Sequence, residues 1–200
     1  LVPEMYNAIK GQESLPLHYV FLIDLSLLAN ENGSSLAAVE GIRTSIEHIS
    51  DFQPNCKVAI MAFDSKIRFF SLRPELDTAQ EYVVTDIYDA FLPIANGLFV
   101  KPQDSQRVID DTLRKITNYI ATEKFSHVVQ VCYGAALQAA KLALDTITGG
   151  QGGKIVCSLN SLPTIGNGNL SLKKDDATKK TLKCDNDFYT KLGHELLRSY

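Results

Sequence analysis

The chain has 200 residues, a formal net charge of −3, and 45% hydrophobic against 22% charged residues. That composition is ordinary for a globular domain, and a chain of this length can bury a sizeable core without disulfide or metal cross-links. The weakly acidic balance gives no general attraction to nucleic acid, and no apolar run reaches the roughly 18 residues of a membrane-spanning helix.

The N-terminal part of the chain predicts a connector, a strand and a helix. Residues 1–17 are interrupted by two prolines and a glycine, and we interpret them as a connector from an upstream domain, ahead of a domain spanning residues 18–200. Tyr19 to Ile23 is apolar without alternation, which is typical of a strand buried on both faces of a parallel sheet. After a turn over residues 30–35, apolar side chains recur at helical spacing. They are Leu36, Val39, Ile42, Ile46 and Ile49.

Three further strands and an apolar loop follow. Val58 to Phe63 forms a second buried run, and Ile67 to Ser71 returns after a short turn as its antiparallel partner. Tyr82 to Thr85 is the next candidate strand. The segment from Asp89 to Val100 predicts a loop, because a proline and a glycine interrupt its apolar residues.

The C-terminal half predicts two long helices, a third buried strand and a final helix. Pro102 begins the first helix, Gly149 ends the second, and the strand spans Lys154 to Leu159. Residues 163–185 indicate a long loop, after which Asn186 or Asp187 caps the final helix. The apolar residues that these three helices would turn inward are Ile109, Leu113, Ile116, Ile120, Leu137, Ala140, Leu144, Ile147, Phe188, Leu192 and Leu196.

The alternation of strands and helices predicts an α/β fold. We expect a mostly parallel central sheet with helices on both faces and right-handed crossovers. Because the chain closes on a helix, we also expect the sheet to lack its final strand.

The sequence contains no motif of a familiar catalytic site. The glycine-rich residues 149–153 and Lys154 resemble a phosphate loop, but Ile155 stands where that loop needs Ser or Thr. The segment also precedes a strand, whereas a phosphate loop opens a helix. No G-x-S-x-G elbow or H-E-x-x-H pair occurs, and the four cysteines form no C-x-x-C or zinc pattern. The sequence does not exclude a Ser/His/Asp or Cys/His catalytic site, because such residues come together only in the folded chain. We predict a protein without enzymatic activity, with the reduced cysteines typical of the cytosol.

The strand that ends at Asp24 raises the question of a metal site. In von Willebrand factor A-like domains, Asp-x-Ser-x-Ser at such a strand end supplies oxygen ligands to magnesium at the carboxyl edge of the sheet. Asp24 and Ser26 keep the first two positions, but Leu28 replaces the second serine. A later strand offers Asn160 and Ser161 where a carboxylate would be needed. We therefore predict a degenerate site without metal, in which Asp24 caps the following turn or bonds to nearby backbone.

Six stretches of the sequence, in this order, resemble one family. They are "LPLHYVFLIDLS", "VAIMAFDSKIRFF", "VVTDIYDAFLPIANGLFV", "SQRVIDDTLRKI", "YGAALQAAKLAL" and "GGKIVCSLNSLPTIGNGNL". Together they closely resemble the trunk domain of the cargo-adaptor subunits of the COPII vesicle coat, from about Leu15 to Tyr200. The resemblance implies a von Willebrand factor A-like fold without catalytic activity. Departures at Leu28, Ala29 and Cys132 indicate a divergent paralogue.

The resemblance also implies partners and a location. Adaptors of this family sort membrane cargo at the endoplasmic reticulum, and their trunk pairs with a sister subunit that activates the coat's small GTPase. The expected partners are that GTPase-activating sister subunit, the small GTPase indirectly, the export signals of cargo membrane proteins and, peripherally, the cytosolic face of the endoplasmic reticulum membrane. No nucleic acid and no cofactor is expected for this chain, since the family's zinc lies in a finger upstream of the trunk.

Two segments are candidates for contacts with partners. The first is the apolar loop beside two acids, because an apolar patch with a polar rim is typical of a protein interface; the same loop could instead fold back on its own core. Its candidate residues are Phe91, Leu92, Pro93, Ile94, Leu98 and Phe99. The second is a lysine-rich segment that would either gain roughly 1 kcal/mol per charge near anionic lipid or form a solvated loop. Its lysines are Lys173, Lys174, Lys179, Lys180 and Lys183.

The main alternative function is a metal-dependent adhesion or ligand-binding domain of the von Willebrand factor A-like class. Asp24 favours it, whereas Leu28 and the missing later carboxylate oppose it. A hydrolase built on an α/β sheet is a third reading, which no motif supports.

Overall fold

The sheet is built around β1 (His18–Asp24), the first apolar run of the sequence. In the computed structural model, which describes residues 16–122, 129–150, 152–171 and 186–198, β1 pairs in parallel with β2 (Lys57–Phe63) and with β5 (Lys154–Cys157). Every residue of β1 is buried. The prediction of a strand covered on both faces is therefore confirmed.

Two antiparallel strands extend the sheet beyond β2. β3 (Ile67–Ser71) pairs with β2, and β4 (Gln80–Val84) pairs with β3, which gives the order β4-β3-β2-β1-β5. Four of these five strands point the same way, and β3 is reversed because a short turn sends the chain straight back beside β2. The described sheet is thus mixed. Four strands share one direction, as a mostly parallel sheet requires, and the predicted antiparallel pairing of β3 with β2 is confirmed; β4 also pairs with β3 in the antiparallel sense.

Five helices connect these strands in the described part of the chain. α1 (Leu27–Glu31) is a short helix after β1, and α2 (Ser34–Phe52) leads to β2. α3 (Pro102–Thr122) and α4 (Tyr133–Thr148) lie between β4 and β5, and α5 (Phe188–Arg198) packs against α4. None of the described helices is both long and apolar enough to cross a membrane.

The helices cover both faces of the sheet and create two cores. α2 and α3 bury their apolar faces against Tyr19, Phe21 and Ile23. α4 lies against the opposite face, with Val20 and Leu22. The α4 core positions include five alanines, and such small side chains let the helix axis approach the strands closely: they are Ala135, Ala136, Ala139, Ala140 and Ala143.

The ends of the helices follow the predicted signals. α3 begins at Pro102, where the missing N–H costs nothing. α4 is followed by Gly149, whose φ of 64° is the left-handed conformation that glycine adopts most readily. The side chain of Asn186 accepts a hydrogen bond from Phe188 N–H at 2.9 Å, so the predicted cap of α5 is confirmed.

β5 differs from the prediction of a third buried strand. It is shorter than expected and largely exposed, with Val156 at 47%. The reason is its position, because β1 is its one neighbour in the described sheet and an open groove lies between Val156 and α2. The connector predicted for residues 1–17 lies outside the described residues except for its last two positions.

Candidate interaction site

The carboxyl ends of β1 and β5 meet at the edge of the sheet where the sequence predicts a degenerate metal site. Asp24 ends β1 and is 1% exposed. One carboxylate oxygen accepts a hydrogen bond from Ser26 N–H at 2.8 Å, and the other accepts one from Asn160 N–H at 2.9 Å. The Asp24 carboxylate therefore ties the end of β1 to the segment after β5, which agrees with the interpretation that it bonds to nearby backbone.

The serines at this edge also bond to the protein. The Ser26 hydroxyl lies 2.8 Å from Ser161 Oγ and caps α1 by accepting from Ala29 N–H. Ser34, at the start of α2, donates its hydroxyl hydrogen to Asn160 Oδ1 at 3.2 Å. Direct hydrogen bonds thus join β1, α1, α2 and the segment after β5.

The donor set at this edge does not fit magnesium. Leu28 lies on α1, is 48% exposed and offers no oxygen. Magnesium demands near-octahedral oxygen ligands, and each Asp24 oxygen already accepts a backbone N–H, which would compete with an ion for its lone pairs. Among the described residues, no group of three or more His, Cys, Asp or Glu side chains is placed to hold a metal. We assign no metal chemistry to this edge, and the absence of metal binding stays a prediction.

A buried ion-pair network fastens β3 to its neighbours. Arg68 is 5% exposed and donates to Glu81 at 2.7 Å and to Asp64 at 3.1 Å. Burial acts to lower the pKa of Arg68, but hydrogen bonds and charges from these two acids outweigh it and raise the pKa. Glu81 also accepts from Tyr119 Oη on α3 at 2.5 Å. The network therefore links the β2–β3 turn, β4 and α3, which is a structural role.

The apolar loop predicted to contact a partner has a buried part and an exposed part. Leu98 is fully buried and Phe99 is 9% exposed, because both pack into the core beneath α4. Their burial favours the alternative that this part of the loop folds back on its own core, and a contact of these two residues with a partner stays a prediction. Leu92, Pro93 and Ile94 are half-buried and Phe91 is 54% exposed, so for these four the prediction stays open.

Hydrogen bonds fix the exposed part of the loop. The Asp86 carboxylate accepts from Asp89 N–H at 3.0 Å and from Tyr88 N–H at 3.1 Å, and these bonds lower the pKa of Asp86. The side-chain amide of Asn167 donates to Tyr88 O at 3.0 Å and to Gln138 Oε1 at 2.8 Å. The loop is thereby tied to α4, and Tyr88, which is 71% exposed, projects from a fixed backbone.

A glycine allows this junction to form. A Cβ atom at Gly134, in the first turn of α4, would collide with the carbonyl oxygen of Asn167. Glycine at this position lets the segment after β5 lie directly against α4. The close approach is what brings the Asn167 amide within reach of Tyr88.

A shallow groove of about 250 Å³ lies between this loop, α4 and α5. Tyr88 and Leu142, which is 39% exposed, give it apolar surface, and Asp89 and Glu195 lie on its rim. Exposed apolar side chains within a charged rim are typical of a protein interface. We call Tyr88, Asp89, Phe91 and Leu142 the loop surface.

Sequence reasoning missed two members of the loop surface, Tyr88 and Leu142. Tyr88 follows Asp86 by two positions, and an Asp that accepts from the backbone two residues on is a turn signal, which places Tyr88 in a turn. Leu142 lies on the outer side of α4 and carries no sequence signal. The five lysines proposed to face lipid all lie outside the described residues.

Comparisons with known proteins place this fold in a family. Residues 14–200 match the model of the Sec23/Sec24 trunk domain. The chain is 70% identical over its whole length to SED5-binding protein 3 of Saccharomyces cerevisiae, of which it covers 22%. It is 34% identical over 160 residues to protein transport protein sec24 of Schizosaccharomyces pombe, which is 80% of this chain and 16% of that protein.

Among solved structures, the human COPII-coat protein Sec24c has the same fold, with a TM-score of 0.78 at 23% identity over 94% of this chain and 26% of that chain. The predicted α/β trunk fold is thus confirmed. The chain spans about a fifth of the length of the curated relatives it matches. With its family model covering nearly all of it, the chain belongs to the Sec23/Sec24 trunk-domain family.

Proposed function

We propose that this chain is the trunk of a COPII cargo-adaptor subunit and pairs with the GTPase-activating sister subunit of the inner coat. Its family and the names of its relatives support the adaptor role. In this role it acts on the cytosolic face of the endoplasmic reticulum, without enzymatic activity of its own, and supports selection of cargo by their export signals. In this role the chain interacts with the coat's small GTPase only indirectly, through the sister subunit.

The loop surface is the observation that carries the pairing proposal. Tyr88 and Phe91 are 71% and 54% exposed, although large aromatic side chains are favourable to bury. Fully burying such a side chain contributes about 1.5–3 kcal/mol, and aromatic residues are enriched where binding energy concentrates. A partner that covers both rings would therefore gain affinity from two anchor residues.

The fixed backbone of the loop lowers the cost of binding. Ordering a flexible loop and its side chains on association opposes binding. Here the Asp86 turn and the Asn167 amide already hold the backbone of Tyr88. Tyr88 can thus bind with little further ordering of its backbone, which supports its use as an anchor of a docking site.

The test is to replace both aromatic residues and measure pairing. The double variant Tyr88→Ser, Phe91→Ser should bind the purified sister subunit at least tenfold more weakly by calorimetry, with an unchanged unfolding temperature. Leu36→Ser is the control, since Leu36 is 44% exposed on α2 and lies outside the groove beside the loop surface, and it should pair like the unmodified chain. Normal pairing by the double variant, or a loss explained by unfolding, would remove this surface from the proposal.

A further inference from the structure

A second groove runs between α2 and α3, on the face of the sheet opposite α4. Its volume is about 270 Å³. The floor is apolar and buried, formed by Ile46, Ile109 and Leu113. Small-molecule sites typically have about 300–1,000 Å³, so this groove suits one or two side chains of a peptide better than a cofactor.

The walls of this groove carry negative charge that the described chain does not neutralise. Arg43 is already matched, because it donates to Asp110 at 2.8 Å and lies 3.7 Å from Glu40. Glu47 and Asp51 are exposed on the wall, and neither forms an ion pair within the described residues. The lining therefore holds three acids against one arginine.

The C-terminal end of α2 gives a second reason, besides the charges of the lining, to expect a positively charged group in this groove. Asp51 lies in the last turn of α2, and this turn contains no basic residue. Since the C-terminal end of a helix carries about half a negative charge, an acid there is unfavourable by itself. The next residue, Phe52, is 85% exposed. An incoming positive group would relieve the repulsion, and an apolar neighbour of that group would cover Phe52.

We propose that the α2–α3 groove binds a lysine or arginine side chain of a partner peptide whose flanking residues are apolar. The cationic group faces Glu47 and Asp51, and its aliphatic stem lies along Ile46 and Ile109. Because exposed ion pairs are individually weak, the apolar floor and Phe52 supply much of the affinity. This proposal does not depend on the loop surface, which lies on the other face of the sheet.

Fluorescence anisotropy with short labelled peptides tests the proposal. The probe is the peptide GSLRRLSG, and its counterparts GSLQQLSG and GSLEELSG change only the charge. The intact chain should bind the arginine peptide most tightly, and binding should weaken as salt is raised, because the charges are exposed. The double variant Glu47→Gln, Asp51→Asn should bind it about tenfold more weakly.

The matched control removes two acids elsewhere. Glu31 and Glu75 are exposed and outside the groove, so Glu31→Gln, Glu75→Gln changes net charge equally and should leave binding intact. The reversed variant Glu47→Lys, Asp51→Lys should prefer the glutamate peptide. Equal losses in both double variants, equal binding of all three peptides, or no binding of the arginine peptide would overturn the proposal.

Discussion

Replacing Asp24 with alanine should destabilise the fold by about 3 kcal/mol. The substitution leaves Ser26 N–H and Asn160 N–H without their acceptors, which lie 2.8 and 2.9 Å away in the native chain. Each hydrogen bond to a charged group contributes about 1.5–3 kcal/mol, and relief from burying a carboxylate that is 1% exposed offsets part of that sum. For a domain of about 200 residues, the net loss corresponds to a fall of about 6–12 °C in the unfolding temperature.

Thermal and urea unfolding, each with magnesium and with EDTA, check this reasoning. The loss caused by Asp24→Ala should be the same in both conditions, and Asp24→Asn, which keeps one acceptor oxygen, should lose less. If Asp24 held a metal, magnesium would raise the unfolding temperature of the intact chain and not of the alanine variant. That pattern, or an alanine variant within about 0.5 kcal/mol of the intact chain, would refute the structural role.

Three further predictions concern stability. Gly41→Ala should raise the unfolding free energy by about 1 kcal/mol in urea titrations, because Gly41 lies inside α2 and an added Cβ would meet nothing within 4 Å. Burial lowers the pKa of His18 below its ordinary 6.5, so the unfolded chain binds the proton more readily and stability should fall as the pH drops below 6.5 towards the folded pKa. His18→Phe should abolish that dependence. Burial alone would raise the pKa of Glu81, but hydrogen bonds from Tyr119 and Arg68 lower it below 4.5. Compared with the unmodified chain, Glu81→Gln should therefore lose the most stability above pH 4.5. The difference should shrink as the pH falls through the folded pKa of Glu81.

The elements that the sequence predicted well are those whose pattern is enforced by burial within one segment. β1 is apolar at successive positions because both faces are covered, and α3 buries Ile109, Leu113 and Ile116 at helical spacing. Such periodicity needs no knowledge of distant residues. The burial of β5 was mispredicted because the same apolar composition also suits a strand at the edge of the described sheet, where the missing neighbour cannot be read from the strand itself.

The burial of Leu98 and Phe99 could not be predicted from the loop sequence for a related reason. Val100 bonds to Val58, and Gly97 O accepts from Leu72 N–H at 2.7 Å, so the chain returns to the sheet just where Leu98 and Phe99 turn inward. These pairings join residues far apart in sequence. The loop composition alone could not decide between a core segment and a docking segment.

The sequence predicted which residues belong to the site at the sheet edge, but not which hydrogen bonds they form. Asp24 and Asn160 were recognised as two parts of one degenerate site, although 136 positions separate them. That they bond directly to each other was not predictable, because it depends on how the segment after β5 bends over β1. The same holds for Tyr88, whose backbone is held by Asn167, 79 positions later.

From the hydrogen bonds at the sheet edge, we predict that the proposed pairing is independent of divalent cations. In a metal-containing site, the ion itself would join the ends of neighbouring segments. In this chain, each oxygen of Asp24 accepts a backbone N–H, the Ser26–Ser161 contact joins the same two segments, and the Ser34–Asn160 contact adds α2. These bonds join the segments directly, so we predict that removing divalent ions leaves the edge and the pairing unchanged. Calorimetric titration of the sister subunit in EDTA and in magnesium should give the same affinity, whereas a tenfold loss in EDTA that the Asp24→Asn variant no longer shows would mean that an ion acts at this edge.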